Sequence, residues 1–325
     1  MGRQELYLYK QMPKWTKDTV PEAFLSKHNT AEGTWGHITV SRGRLKFYEL
    51  DEKGAVQEEY ELSPEGGAWM IAPQQWHKIE PLSDDLEMQL EFYCTADDYF
   101  SKKYGMSATH SAVRAAEGIV PAGKALDMGC GQGRNALFLA LKGFDVTAVD
   151  NNPHAVQNVA ELARAEGLPV RAFEYDLNAA HLQDDFDYIV ATVVFMFLRP
   201  QSVPQIIADM QAHTNPGGYN LIVSAVDTAD FPCPMPFPFK FGEGELRGYY
   251  QDWQLVEYKE ELGSMHARDE AGNPLPCWRK SLSRSQTGKG RLKRGFQTAF
   301  RFFGGLSERQ AAKSAHGFST NRFIL

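Results

Sequence analysis

"ALDMGCGQGRNALFLALKGFDVTAVD" (residues 125–150) decides the fold. A short apolar strand runs into an acid and a glycine cluster. An apolar run of helical character follows and is closed by Gly143. A second strand, "DVTAVD", ends on Asp150. Strand, glycine loop, helix and strand form one unit of an α/β sheet. The same alternation continues outward: a helix over 152–167, strands over 170–177 and 186–197, a helix over 203–214 and a strand over 217–226. This order predicts a mostly parallel, Rossmann-like α/β sheet covered on both faces.

The glycine loop asks which ligand it serves. Its spacing is GxGxG, at Gly129, Gly131 and Gly133. A dinucleotide fingerprint is GxGxxG, whose third glycine lets the helix pack closely on the strand. Arg134 stands at that third position, and Asp127 lies two residues before the first glycine. A carboxylate there would repel a pyrophosphate but suits a ligand carrying an ammonium group. S-adenosylmethionine meets these demands, with an ammonium, a cationic sulfonium and two ribose hydroxyls. Asp150 ends the next strand, where a carboxylate accepts ribose hydroxyls. Asp176 and Leu177 end the third, within reach of an adenine amine. Asn135 opens the helix, where a side-chain amide and free backbone N–H groups can meet the carboxylate of the methionine end. Cys130 is read as a small side chain behind the ligand. Asn151 and Thr192 complete the cofactor set, and Tyr104 and His110 precede the first strand of the sheet.

Residues 1–93 have a different texture. "LEMQLEFYC" (86–94) alternates almost strictly, with Leu86, Met88, Leu90 and Phe92 on one face and Glu87, Gln89, Glu91 and Tyr93 on the other. "TWGHITVSRGRLKFYEL" (34–50) reads as two strands with "SRG" as a turn. Many short strands with regular turn signals predict an all-β sandwich or barrel. The boundary is placed at 93/94, before the helical "TADDYFSKKYG", and the second domain runs over 94–275. In the first domain His28, His77 and Glu91 are a candidate divalent-metal set; His37 lies on a strand beside them.

Charge splits the chain. From Arg279 onward there are eleven Lys and Arg against one acid, Glu308, whereas the preceding 278 residues hold 23 basic and 40 acidic residues. The acidic body excludes a nucleic-acid binder as the main reading. No apolar run is long enough to span a bilayer, the N-terminus lacks a signal-peptide core, and the four cysteines form no CxxC pair. A cytoplasmic, reduced protein is expected. The basic stretch 276–325 has three readings: an altered reading frame, a disordered tail, or an arm for nucleic acid or membrane.

"DMGCGQGRN" (127–135), "ATVVFMFL" (191–198), "HTNPGGYNLIVSAVDTADFPCP" (213–234) and "GEGELRGYYQDW" (242–253) resemble the tellurite methyltransferases of the TehB family. "FLSKH" (24–28), "GTWGHITVSRG" (33–43) and "PQQWHKIEP" (73–81) resemble the cupin-like domain of its longer members. The resemblance implies a class I methyltransferase domain behind a cupin-like domain, and methylation of tellurite and selenite. It points to Arg247, His266 and Arg268 as cations for the oxyanion. The implied partners are that oxyanion and a second copy of the chain. Ala267 and Pro274 stand where the family carries basic residues, and the family's closing strand is absent. An alternative is a metal- or oxyanion-binding sensor that binds S-adenosylmethionine without efficient turnover.

Overall fold

The structure, a computed structural model, describes residues 5–230, 232–268, 274–280 and 294–302, with side chains through residue 260. The chain divides between Ala108 and Thr109 into two compact units.

The first unit is built from period-two strands. In order these are β1 (Tyr7–Gln11), β2 (Trp15–Thr16), α1 (Glu22–Leu25), β3 (His28–Asn29), β4 (Trp35–Arg42), β5 (Leu45–Leu50), β6 (Val56–Leu62), β7 (Trp69–Ile71), β8 (Trp76–Pro81), β9 (Glu87–Cys94) and α2 (Ala96–Tyr104). One antiparallel sheet has the order β1-β9-β4-β7, with β2 also on β9; the other has the order β3-β8-β5-β6. The alternation of β9 sends Met88 and Leu90 into a core with Trp15, Ile38, Val40, Phe47, Ile71 and Ile79, while Phe92 packs against its edge. Of "SRG", Ser41 and Arg42 end β4 and Gly43 bends the chain, and because β4 and β5 lie in different sheets the bend leads from one sheet to the other rather than closing a hairpin. Gly43 makes this crossing with φ of 69°. The helix α2, which the sequence assigned to the second domain, belongs to the first unit. It is tied there by Tyr99 against Tyr7, ring centroids 5.8 Å apart, and by Lys102 Nζ donating to Glu32 O and Thr34 Oγ1.

The second unit contains α3 (Ser111–Ala115), β10 (Lys124–Met128), α4 (Arg134–Leu141), β11 (Asp145–Asp150), α5 (Pro153–Ala165), β12 (Val170–Glu174), β13 (Phe186–Thr192), α6 (Val203–Ala212), β14 (Thr214–Val226), α7 (Glu245–Tyr249), β15 (Gln254–Arg268), β16 (Pro274–Lys280) and β17 (Arg294–Phe302). Its sheet order is β12-β11-β10-β13-β14-β17-β15-β16, and the first five strands are parallel. Burial on both faces explains the continuous apolar runs: Val146, Ala148, Ile189, Val190, Leu221 and Ile222 are all in the core. "NPGG" in β14 is absorbed as a register shift, with Phe186 opposite Thr214 and Tyr188 opposite Tyr219.

The expected absence of a closing strand meets a different result. Arg294–Phe302 lies between β14 and β15, parallel to both, and β16 runs antiparallel to β15. The run "RGFQTAFRF" alternates aromatic or β-branched residues with small or polar ones, which is strand chemistry whatever its family origin. The remaining residues after 280 lie outside the described ones. Among the described residues no helix is long and apolar enough to cross a membrane.

Candidate functional site

The chain order crosses from β12 back over β10 to β13, so the loops at the carboxyl ends of β10 and β13 diverge and leave a crevice. Open α/β sheets bind ligands at this switch point. The glycine loop fills it.

Gly131 sits at φ of 52°, a backbone conformation side chains disfavour, and a Cβ there would meet nothing within 4 Å. That open face is a place for a ligand. Gly129 is constrained from the other side, because a Cβ on it would overlap Val194 Cγ2. Asp150 holds the loop: Oδ2 accepts from Gly131 N at 2.9 Å and Oδ1 from Asn152 N at 3.0 Å. Each oxygen keeps a second lone pair for a hydroxyl. Asn151 beside it is exposed.

Asp127 is the unusual group. It is 1% exposed, and neither carboxylate oxygen has a hydrogen-bond partner. Burial pushes its pKa up to about 7; Ala136 N–H and the Arg134 guanidinium oppose this without closing a good hydrogen bond. An uncompensated buried carboxylate is costly unless a cation arrives. The ammonium of S-adenosylmethionine is such a cation, and the glycine loop with its open face at Gly131 begins two residues after Asp127. The residues present therefore fit that cofactor.

Asp176 lies just beyond β12, where it caps a short 3-10 turn at Leu177–Ala179. Its Oδ1 accepts from the Asn178 side chain at 2.8 Å and from Asn178 N at 3.0 Å, and these bonds hold its carboxyl below the usual range. Asn178 Oδ1 in turn accepts from Arg199 N, joining the loops after β12 and β13. Leu177 is buried.

Asn135 also makes two bonds within the protein. Its Oδ1 accepts from His110 N at 3.1 Å, and its Nδ2 donates to Thr192 Oγ1 at 2.8 Å. The amide thus ties the segment before α3 to the end of β13 and positions both. His110 also caps α3, its Nδ1 accepting from Ala112 N. Tyr104 belongs to the first unit, where it stacks on Phe100.

Cys130 is buried, and burial raises its thiol well above the ordinary value. Burial also raises Cys233. Burial thus disfavours the thiolate form of both.

Two features were missed in the sequence. The strand read over 186–197 ends at Thr192, because Val193 turns at φ of 59°. A β-branched residue there is strained, and such strain gathers at functional sites. A run of β-branched residues gives no sign of it. Asp227 is the other. It accepts from Cys233 N at 2.6 Å and pairs with Lys240 at 3.4 Å, pinning the proline- and phenylalanine-rich loop at both ends. That loop packs Cys233, Met235 and Phe237 against Met196.

Arg247 is exposed on α7, which is anchored by buried Leu246 and Tyr250. His266 and Arg268 fall at the end of β15, where the side chains lie outside the described residues.

The metal set in the first unit is not assembled. His28 and His77 are cross-strand partners. Glu91, however, faces away from Leu90 and Phe92, where it accepts from Gln11 and Tyr93 and pairs with His37 at 3.1 Å. Strand alternation separates it from the two histidines. Among the described residues no cluster of three metal-ligating groups occurs.

Comparison with known proteins bears on this geometry. A family model for "Tellurite resistance protein TehB" matches residues 92–277, and one for a "TehB-like domain" matches 10–90. The chain is 53% identical over 273 residues to "Probable S-adenosyl-L-methionine-dependent methyltransferase TehB" of Haemophilus influenzae, covering 84% of this chain and 96% of that protein. It is 59% identical over 230 residues to "Hemagglutinin 1" of Eikenella corrodens, covering 71% of this chain and 77% of that one. The crystal structure of TehB from Haemophilus influenzae superposes with a TM-score of 0.81 at 48% identity, covering 92% of this chain and 99% of that one. The matched region carries the glycine loop, all three strand-end acids and the Pro/Phe loop, and on this basis the chain belongs to the TehB family and is an S-adenosylmethionine-dependent methyltransferase.

Proposed function

We propose that the methyl acceptor is tellurite, with selenite as a second substrate, and that the reaction detoxifies the oxyanion. The observation that carries this is the tellurite-resistance family match over 92–277. Burial disfavours the thiolate form of Cys130 and Cys233, which supports a reaction without a cysteine nucleophile. An acceptor with its own lone pair, such as tellurium(IV) in tellurite, needs no strong general base.

Bound S-adenosylmethionine supplies an electrophilic methyl group on a sulfonium. Asp127 holds the ammonium, the opening N–H groups of α4 face the carboxylate, and Asp150 with Asn151 receives the ribose. Asp176 and Leu177 frame the adenine. Asn135, through His110 and Thr192, keeps the two walls in register. Arg247, with His266 and Arg268, balances the oxyanion charge, and the Pro/Phe loop excludes water. The chain's contribution is alignment and charge balance. We place the cupin-like domain at 1–93 and the methyltransferase domain within 94–275, with α2 (Ala96–Tyr104) carried on the first unit, the enzyme in the cytoplasm and its assembly as a homodimer.

Conversion of S-adenosylmethionine to S-adenosylhomocysteine by the purified chain, with and without tellurite, tests this. Tellurite-dependent product is expected. Cofactor binding with no product on tellurite or selenite would instead support the sensor reading.

A further inference from the structure

The first unit holds a cavity of about 470 Å3, lined from both of its sheets, that the methyltransferase reading does not use. On one wall stand His28 and His77, opposite each other on β3 and β8 with ring centroids 4.1 Å apart. Both rings are pinned in the same way. His28 Nδ1 lies 2.9 Å from Ser26 O, and His77 Nδ1 lies 2.8 Å from Gln75 O. A carbonyl only accepts, so both Nδ1 atoms carry hydrogen, and Nε2 of a neutral ring is a bare acceptor. Burial pushes His77 down to about 4, which keeps it neutral at physiological pH. His28 Nε2 is buried and has no hydrogen-bond partner.

The rest of the lining sets the ligand's other end. Lys10 on β1 and Lys102 on α2 reach the cavity, and Lys102 Nζ lies 5.9 Å from the Tyr9 ring centroid. No carboxylate is among the described residues lining it, although residues 1–108 hold 18 acids against 12 bases. Phe24, Ile71, Leu90 and Phe92 supply apolar wall.

We infer that this cavity binds a small organic acid, with a carboxylate toward the lysines, an apolar body, and a hydroxyl or N–H group donating to His28 Nε2. All of its lining residues belong to the first unit, and its test does not depend on the identity of the methyl acceptor. A metal is disfavoured there because the third ligand, Glu91, lies on the opposite face of its strand.

Calorimetry on the full chain tests it with three matched probes: 4-hydroxyphenylacetate, 4-methoxyphenylacetate, which lacks the donor, and 4-hydroxyphenylethanol, which lacks the charge. The first is expected to bind at least about tenfold more tightly than either of the others. His28→Phe should abolish the preference for hydroxyl over methoxy, and Lys102→Gln the preference for the acid over the alcohol. Equal affinity for all three probes in the unaltered chain overturns the proposal. So does failure of both 4-hydroxyphenylacetate and indole-3-acetate to bind at about 5 mM, the weak limit of specific recognition. The probe comparison on the unaltered chain stands even if a variant misfolds.

Discussion

Asp127→Asn should stabilise the empty protein and disable cofactor binding. The carboxyl sits at about 7 rather than 3.8 chiefly because it is buried. Its folded value lies above its unfolded value, so the folded chain holds the proton more tightly. The resulting penalty on folding is absent below about pH 4, grows from there to about pH 7, and is complete above it. The gap corresponds to about 4 kcal/mol as an upper bound. Asn carries no charge and escapes this, but it buries an amide without partners, which costs about 1–3 kcal/mol. The net gain at about pH 8 is therefore on the order of 1–3 kcal/mol, read as a rise of about 3–9 °C in melting temperature. At about pH 4 the gain should vanish or reverse. S-adenosylmethionine should stabilise the unaltered chain and not the variant, with affinity lowered about 100-fold. Because the ammonium favours the ionised carboxylate, cofactor binding at about pH 7 should release about half a proton, measured by calorimetry in buffers of different ionisation enthalpy. A variant less stable than the unaltered chain at pH 8, or one that binds the cofactor normally, would refute the reasoning.

The other predictions concern the same crevice. Asp150→Ala removes the ribose acceptor and the two backbone bonds that shape the loop, so cofactor affinity by calorimetry should fall at least about tenfold; unchanged affinity places the ribose elsewhere. Gly129→Ala and Gly131→Ala separate strain from occupancy. The first adds overlap with Val194 to the left-handed strain and should lower stability by about 2–4 kcal/mol in denaturant melts. The second carries only the strain of about 1–2 kcal/mol, and its Cβ enters the open face, so its larger loss should be in cofactor affinity. Arg247→Ala should lower kcat/KM for tellurite about tenfold or more with the KM for S-adenosylmethionine unchanged, and equal turnover would move the oxyanion site off α7.

Much of this was local and therefore legible. The β-α alternation from Ala125 to Val226 and the period-two pattern of residues 86–92 depend on near neighbours in the chain, and both appear in the order read, although the strand read over 186–197 stops at Thr192. The GxGxG spacing and the strand-end positions of Asp127, Asp150 and Asp176 follow from the same local order. Even the fate of Glu91 was implicit, since alternation already set it opposite Leu90 and Phe92. Other outcomes needed the fold, because they depend on which distant segment arrives beside a residue. Asn135 is drawn into a tie between His110 and Thr192, 25 and 57 residues away. "SRG" leads from one sheet to the other because β4 and β5 find different partners, and Val193, whose amide donates to Val223 O at 2.7 Å, turns the chain out of the sheet there at φ of 59°. Residue types and short spacings specify the elements and the faces they bury. Long-range register decides which polar groups meet, and so which residues can touch a ligand and which can only hold those that do.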